Sequence, residues 1–355
     1  MRYIKKYQLA LLTCLLIMSA CQGQASTPQP VATDAVLLVE TQPVATQPAA
    51  TVEPLNSPEV IIAPDVVNGV IALDHLTALS DEIGARFPGS EQEAEAAQYI
   101  QNAFEEMGYE TEVQSFTITN EDDEELNSQN VIAIKPGLST QVIVVGAHYD
   151  SGDEANGADD NASGVAAMLE AAELVFDIQT PYTIVFAAFG SEENDLDGSY
   201  AYMDELGENE IRDTIAMINL DSLIAGDISY VYGDAGPGTM HEWIVEMASE
   251  NGLALEAKTA LDLNNEDGSP CECSDYDVFQ KAGIPFVYFE STNWNLGQKD
   301  GMTQVDPGLA EAGVVRHTQF DTIASINEIF PGRIEKQLDL YVTLLYKTLT
   351  EFQQP

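Results

Sequence analysis

A histidine and several aspartates follow a short apolar run near the middle of the chain. The run Val142–Val145 is typical of a strand buried on both faces. His148 and Asp150 come directly after it, and a polar loop then leads to Asp159 and Asp160. Imidazole and carboxylate groups bind divalent metal ions, and ligands of open α/β sheets lie at the carboxyl ends of parallel strands. The stretch therefore predicts half of a metal site, with an acidic surface loop as the alternative.

Two later apolar runs also end in acidic side chains. The run TIVFAAFG leads to Glu192 and Glu193, and the run IAMINL leads to Asp221. Carboxylates that converge at one edge of a sheet repel one another, and a divalent cation neutralises them. A set of histidine and carboxylate ligands without cysteine favours zinc over cobalt or manganese. We expect Asp150, two residues after His148, to orient that imidazole without binding the metal.

The elements that must position these residues alternate between strands and helices. This alternation predicts an α/β fold, a sheet with helices on both faces. The clearest helix is Glu91–Met107, because Ser90 is a good N-cap and Gly108 a good stop. The other predicted helices are Val70–Ser80, Ser199–Leu206, Met240–Asn251 and Arg333–Phe352. The predicted strands are Tyr109–Thr119, Asn130–Ile134, Val142–Val145, Tyr182–Phe189, Ile215–Leu220 and Ile284–Phe289, with a solvated acidic loop at Asn120–Glu125.

The charge of the chain excludes some classes of partner. Its 355 residues include 59 acidic and 13 basic side chains, which gives a net charge of −46. Nucleic-acid binding requires lysine and arginine to displace counterions, so we expect no nucleic-acid partner. Adsorption to anionic lipid is disfavoured for the same reason.

The first 21 residues combine a basic start, the apolar core Leu9–Met18 and small residues before Cys21. A bilayer span needs about 20 apolar residues, so this shorter run predicts a signal peptide at residues 1–20. Small residues before a cysteine resemble a bacterial lipobox, which would place lipid on Cys21. The alternative is an ordinary signal-peptidase site near Ala20. We expect an extracytoplasmic protein, either a lipoprotein that contacts the membrane only through its anchor or a secreted one.

The next segment is rich in threonine, proline, alanine and glutamine, and it repeats QPVAT at 29–33 and 42–46. Such a composition does not bury enough apolar surface to fold. We therefore predict a lipidated, disordered tether at residues 21–63 and a folded domain at residues 64–355.

Five stretches of this folded part resemble the M28 zinc aminopeptidases, the secreted two-zinc exopeptidases of bacteria and fungi. They are AHYD (147–150), GADDNASG (157–164), FGSEE (189–193), NLDS (219–222) and HTQFDT (317–322). Softer matches are RFPGS (86–90), SDYDVF (274–279) and AGIP (282–285). The resemblance runs from about residue 70 to the C-terminus. It implies a three-layer α/β/α sandwich with a mixed, mainly parallel central sheet.

The resemblance also implies a role for each matched residue. Asp160 would bridge two zinc ions, because the bridging aspartate of the family lies twelve positions after the first histidine, as Asp160 does after His148. Glu192 would be the general base, and Asp150 would support the first histidine. The implied metal ligands are His148, Asp160, Glu193, Asp221 and His317. The implied substrate is a peptide with a free N-terminus, and the oligomeric state stays open.

Other residues of the matched region are open to more than one interpretation. Cys271 and Cys273 flank one glutamate, and in an oxidising compartment a local, strained disulfide between them is one interpretation. Tyr276 replaces a histidine that the family often carries after Ser-Asp; it either lines the substrate cleft or packs in the core. Asp321 either buttresses His317 or caps the following segment.

Two other functions compete with the peptidase. Glutaminyl cyclases share the fold and some of the ligands, but they keep one zinc ion and catalyse attack of an amine on a side-chain amide. A non-catalytic binding ectodomain on the same scaffold is the second alternative. The segment DNASG at 160–164 resembles the peptidases, and every expected ligand position is filled, which favours the two-zinc enzyme.

Overall fold

Strands and helices alternate along the chain, as predicted. The computed structural model describes residues 68–120, 123–152, 156–263, 273–297, 299 and 301–354. The strands are β1 (Thr111–Thr119), β2 (Glu125–Lys135), β3 (Ser139–His148), β4 (Tyr182–Phe189), β5 (Thr214–Leu220), β6 (Ile228–Gly233), β7 (Glu256–Ala257) and β8 (Phe286–Thr292). The helices are α1 (Val70–Thr77), α2 (Glu91–Met107), α3 (Ser163–Val175), α4 (Asp197–Glu205), α5 (Glu208–Asp213), α6 (Met240–Glu250), α7 (Tyr276–Lys281), α8 (Ile323–Ile329) and α9 (Arg333–Glu351).

The described strands form one sheet in the order β1-β2-β4-β3-β5-β8-β6-β7. The four central strands, β4, β3, β5 and β8, are mutually parallel. On either side of them, β2 pairs antiparallel with β4, and β6 pairs antiparallel with β8. The carboxyl ends of the four central strands therefore meet at one edge of the sheet, which is where the predicted ligands lie.

Alternating side chains of the central strands build two cores. In β3, Ile143 and Val145 pack into one core and Val144 into the other. The first core contains buried residues of α1, α2, α3, α6 and α9, and the second contains residues of α4 and α7. Helices thus cover both faces of the sheet. The predicted three-layer α/β/α fold with a mixed, mainly parallel sheet is confirmed.

Most predicted elements have the expected bounds, with three informative differences. The strand β6 was not predicted, although Tyr230 and Tyr232 alternate with Val231 between the two cores. The strand β2 begins at Glu125 and not at Asn130, because it pairs with β1 as far as the partners Thr119 and Glu125. The strand β8 continues to Thr292, three residues beyond the predicted end, and this extension brings Glu290 to the edge that carries the ligands.

Some predictions concern residues outside the described ones. These are the signal peptide, the tether, Cys21 and Cys271. Within the described residues, no helix has the length and apolar character needed to cross a membrane.

Candidate metal centre

Three parallel strands each deliver one side chain to a first donor group, formed by His148, Glu192 and Asp221. His148 is the last residue of β3, Glu192 lies just beyond β4, and Asp221 follows β5. One donor atom from each lies within 4.8 Å of the other two. His148 Nε2 is 3.6 Å from Asp221 Oδ1 and 3.9 Å from Glu192 Oε2. These atoms surround a space that a single cation fits.

A second donor group is formed by Asp160, Glu193 and His317. One donor atom from each again lies within 4.8 Å of the others. His317 Nε2 is 3.0 Å from Asp160 Oδ2 and 2.9 Å from Glu193 Oε1. The other carboxylate oxygen of Asp160, Oδ1, is 3.1 Å from Nε2 of His148. Asp160 therefore lies between the two groups, with one oxygen directed to each histidine.

The electrostatics of the two groups favour cations. Contacts with Asp160 and Glu193 raise the pKa of His317 to about 11. Burial raises the pKa of Glu192 well above its ordinary value, and burial and the nearby Asp160 raise that of Glu193. Four carboxylates and two imidazoles crowded at a buried edge need positive charge, and a metal ion would bind in competition with protons. Zinc fits this donor set of imidazole nitrogens and carboxylate oxygens.

Asp150 connects the chain just after β3 to the chain just after β4. Its two carboxylate oxygens accept hydrogen bonds from the backbone N–H groups of Glu192, at 3.1 Å, and Glu193, at 3.0 Å. Asp150 Oδ1 also lies 3.4 Å from Nδ1 of His148. The side chain is fully buried. It can therefore orient the first imidazole, as expected from its spacing, and it also fixes the segment that carries both glutamates.

Asp159 and Asp160 differ completely in their surroundings. Asp159 is buried away from the donor groups, where its Oδ1 accepts hydrogen bonds from the backbone N–H groups of Ile224, at 2.7 Å, and Ala225, at 2.8 Å. Only Asp160 reaches both histidines. The spacing from His148 predicts Asp160 and not Asp159 as the ligand, and the hydrogen bonds of Asp159 favour that choice.

Asp321 does not cap the following helix, and its carboxylate binds the backbone of the segment that carries Asp160. Its carboxylate oxygens accept hydrogen bonds from the backbone N–H groups of Asp159, at 2.6 Å, and Asp160, at 3.2 Å. The following helix α8 is capped by Thr322, whose hydroxyl accepts a hydrogen bond from the backbone N–H of Ser325. Asp321 thus fixes the backbone at Asp159 and Asp160, because the N–H groups of both residues donate to its carboxylate.

Sequence reasoning assigned no role to Arg86, although it lies in the softly matched stretch RFPGS. The guanidinium is fully buried, and among the described residues it donates to five main-chain carbonyls, those of Leu79, Gly84, Tyr149, Asn156 and Gly157. Burial lowers its pKa to about 10. These bonds join the segment after α1 to the loop between β3 and α3. The sequence offered one signal for a role of Arg86, namely a basic residue between Gly84 and Gly89 in a very acidic chain.

A buried ion pair beside the donor groups was also missed. Arg316 Nη1 is 2.7 Å from Glu290 Oε1, and the Tyr232 hydroxyl donates to Glu290 Oε2 at 2.9 Å. The side chains of Arg316 and Glu290 are 13% and 6% exposed. Glu290 was not considered because the predicted strand ended before it.

Tyr276 lies in the second core and does not line a cleft. It is 2% exposed, and its ring stacks on Phe286 and Tyr288 at centroid distances of 4.4 and 5.1 Å. These contacts favour the packing interpretation, since two aromatic neighbours on β8 enclose the ring. Cys273 is disulfide-bonded. Its predicted partner, Cys271, lies outside the described residues, so that pairing stays a prediction.

Three non-glycine residues next to or within the donor groups have a left-handed backbone. Ser191, Ser222 and His317 have φ values of 57°, 55° and 56°. Such conformations cost about 1–3 kcal/mol each and persist where the surrounding structure enforces them. They turn the chain sharply after β4 and β5 and at the last ligand, so that side chains point back over the edge of the sheet.

Comparison with known proteins identifies the family of this arrangement. The profile described as Peptidase family M28 matches residues 130–341. The alkaline phosphatase isozyme conversion protein of Escherichia coli (strain K12) is 31% identical over 283 residues, which cover 71% of this chain and 81% of that protein. Aminopeptidase YwaD of Bacillus subtilis (strain 168) is 30% identical over 234 residues, which cover 64% of this chain but 46% of the relative.

Solved structures show the same fold. A zinc aminopeptidase from Bacillus subtilis superposes with a TM-score of 0.63 at 19% identity and covers 81% of this chain and 97% of its own. A glutaminyl cyclase from Porphyromonas gingivalis gives a TM-score of 0.61 at 20% identity and covers 81% of this chain and 99% of its own. Because both kinds of enzyme superpose about equally, the fold does not separate the two activities, and the residues of the site must do so.

Proposed function

Because the chain belongs to peptidase family M28 and is a metal-dependent peptide hydrolase, we propose that it removes N-terminal residues from peptides with two zinc ions. In this proposal His148 and Asp221 would hold one ion, Glu193 and His317 would hold the other, and Asp160 would offer one carboxylate oxygen to each. Glu192 is the general base, and Asp150 orients His148 and both glutamates.

The position of Asp160 is the observation that carries this proposal. Its Oδ1 lies 3.1 Å from His148 Nε2 and its Oδ2 lies 3.0 Å from His317 Nε2. A carboxylate that presents one oxygen to each of two donor groups suits a bridge between two ions. A site for one ion would not require a second histidine on the far side of the same carboxylate.

When bound, two zinc ions lower the pKa of a shared water from about 15.7 towards 7 and polarise the substrate carbonyl. Burial raises the pKa of the Glu192 carboxyl group. Its Oε2 accepts a proton from the water as the water oxygen bonds to the carbonyl carbon. The same oxygen returns that proton to the leaving nitrogen as the peptide C–N bond breaks. A positioned general base contributes about 10²- to 10⁴-fold to the rate.

The acidic surroundings of the site favour a positively charged group on the substrate. Asp150 and Asp275 lie fully buried beside the donor groups, in addition to the four carboxylates of those groups. The free α-ammonium group of a peptide supplies the required charge. We therefore expect cleavage of free but not N-acetylated peptides.

The test is zinc content and substrate choice of the full chain purified in detergent. Two zinc ions per chain by elemental analysis, with cleavage of free peptides only, is the expected result. One tightly bound zinc ion together with cyclisation of N-terminal glutamine would contradict the peptidase proposal and favour a glutaminyl cyclase. No zinc after loading and dialysis would leave a binding scaffold.

We also propose the domain plan and location predicted above, with a signal peptide at 1–20, lipid on Cys21, a tether at 21–63 and the peptidase domain at 64–355. Small residues before the cysteine and the composition of the segment support it. Detergent phase partition tests it, since Cys21→Ala should move the protein from the detergent phase to the aqueous phase. Equal partition of variant and wild type would contradict the anchor.

A further inference from the structure

One buried amide, that of Gln304, connects the two halves of the metal centre. Its Oε1 accepts hydrogen bonds from the backbone N–H groups of Val315 and Arg316, both at 2.9 Å. Its Nε2 donates to Asp159 Oδ2 at 2.7 Å. The side chain is fully buried. Each end of the amide thus has a defined partner, and the segment just before His317 is tied to the residue just before Asp160.

Asp159 extends this connection to the remaining loops. Its Oδ1 accepts the backbone N–H groups of Ile224 and Ala225, in the segment that follows Asp221. Its own backbone N–H donates to Asp321 Oδ1 at 2.6 Å, four residues after His317. The backbone on both sides of His317 is therefore attached to the segment that carries Asp160.

His317 depends on such attachment more than His148 does. The side chain of His317 is 55% exposed, whereas that of His148 is 1% exposed and stands at the end of a central strand. The backbone of His317 is also left-handed, with φ 56°, which is unfavourable for a residue with a side chain. Because this ligand is exposed and its backbone conformation is unfavourable, we expect hydrogen bonds to the neighbouring backbone to contribute to its position.

We propose that Gln304 and Asp159 are a pair of positioning residues that sets the affinity of the second donor group for its zinc ion. The inference rests on the proposed two-zinc function and adds two residues that bind no metal. Groups that hold a ligand in place from outside the ligand set contribute about 10- to 100-fold to metal affinity. The first donor group takes its histidine from β3, and the pair reaches it only through the backbone N–H groups of Ile224 and Ala225, so the larger effect is expected at the second group.

The test exchanges the donor and the acceptor of the Gln304–Asp159 hydrogen bond. Gln304→Glu places two carboxylates 2.7 Å apart, and Asp159→Asn places two amide NH₂ groups opposite each other. A flip of the new asparagine would instead direct its NH₂ at the N–H groups of Ile224 and Ala225. The double variant, Asp159→Asn with Gln304→Glu, restores one donor and one acceptor and keeps the net charge of the wild type.

Zinc affinities of all four proteins are measured by competition with a chromophoric chelator, with thermal unfolding followed in parallel. We expect each single variant to lose about 10- to 100-fold in affinity for the zinc ion of the second donor group, and to lose less in affinity for the other ion. The Glu193→Gln variant, which removes a ligand of the second group, identifies which of the two measured affinities belongs to that group. The double variant is expected to return close to wild type, because coupled residues deviate from additivity.

Gln337→Glu is the matched control, since Gln337 is also buried but its amide contacts Ser229 and Gly226, away from both groups. It is expected to change the unfolding temperature but not either zinc affinity. The inference fails if the single variants bind both ions as tightly as the wild type, or if the double variant is no better than the singles. If the wild type itself binds fewer than two zinc ions, the proposed function fails with it.

Discussion

The carboxylate of Asp150 accepts a hydrogen bond of 3.1 Å from the backbone N–H of Glu192. Asp150 follows β3 and Glu192 follows the neighbouring parallel strand β4, so this bond joins the ends of two strands. The second oxygen of the same carboxylate binds the N–H of Glu193 at 3.0 Å. One buried side chain therefore sets the positions of a proposed general base and a proposed ligand together.

Asp150→Asn should lower kcat by about 10- to 100-fold, because an amide has one acceptor oxygen for two N–H groups and its NH₂ would face the other. Steady-state kinetics with a free peptide measures this effect. Asp197→Asn is the control, since Asp197, the first residue of α4, accepts hydrogen bonds from the side chains of Ser191 and Asn194, on either side of the two glutamates. Equal loss in both variants would mean that Asp150 has no special role.

Glu192→Gln and Glu193→Gln should separate the base from the ligand. The first variant is expected to keep both zinc ions and to lose about 10²- to 10⁴-fold in kcat, since only proton transfer is removed. The second should lose the zinc ion of the second donor group. Zinc analysis with single-turnover kinetics distinguishes them, and full activity of Glu192→Gln would refute the proposed mechanism.

Gly152→Ala should weaken zinc binding by the second donor group. A Cβ at this position would lie 3.2 Å from both Glu193 Oε1 and His317 Cδ2. The methyl group would push both ligands outward, so zinc should leave this group at a lower chelator concentration. Gly207→Ala is the control, because its Cβ would meet one exposed side chain, that of Glu210. Identical chelator titrations for wild type and Gly152→Ala would contradict the expectation.

Arg316→Met should destabilise the fold by about 3–5 kcal/mol, because it leaves the carboxylate of Glu290 buried without its partner. Adding Glu290→Gln to this variant should recover most of the loss. Urea unfolding measures both. Arg212→Met, which breaks the exposed pair with Asp213, should cost less than about 1 kcal/mol. A loss in the double variant as large as in the single one would show that the charge of Glu290 is not the cause.

Glu93→Gln should alter the pH dependence of stability. Burial raises the pKa of Glu93 from 4.5 to about 8, and its oxygens accept the Gly89 N–H and the Ser128 hydroxyl. Between these pH values the unfolded chain releases a proton that the folded protein keeps, so the free energy of unfolding falls as pH rises. Glutamine has no such proton, and it can still accept from Gly89. The free energy of unfolding of the variant, measured by urea unfolding, should rise relative to that of the wild type from pH 4.5 to 8. Plots of this free energy against pH that run parallel for the two proteins would contradict the prediction.

Local signals were sufficient for most of the elements. The helix Glu91–Met107 has its predicted bounds because Ser90 caps the Glu93 N–H and Gly108 adopts the left-handed conformation. The strand Tyr182–Phe189 also has its predicted bounds, since a continuous apolar run between turns leaves little choice. Where prediction failed, as at β6 and at the end of β8, pairing between distant strands decided the bounds.

The site divides in the same way. The available chemistry could be predicted from the sequence, because one histidine and several carboxylates after buried strands indicate a metal centre at the carboxyl edge of the sheet. Long-range contacts were needed to show that Asp160 lies between the two histidines while Asp159 turns to Ile224, Ala225 and Gln304. The tertiary structure also assigned places to Arg86, Glu290 and Gln304. The contacts of these residues join segments far apart in the chain, and a hydrogen bond between such segments leaves no periodic or local pattern from which to predict it.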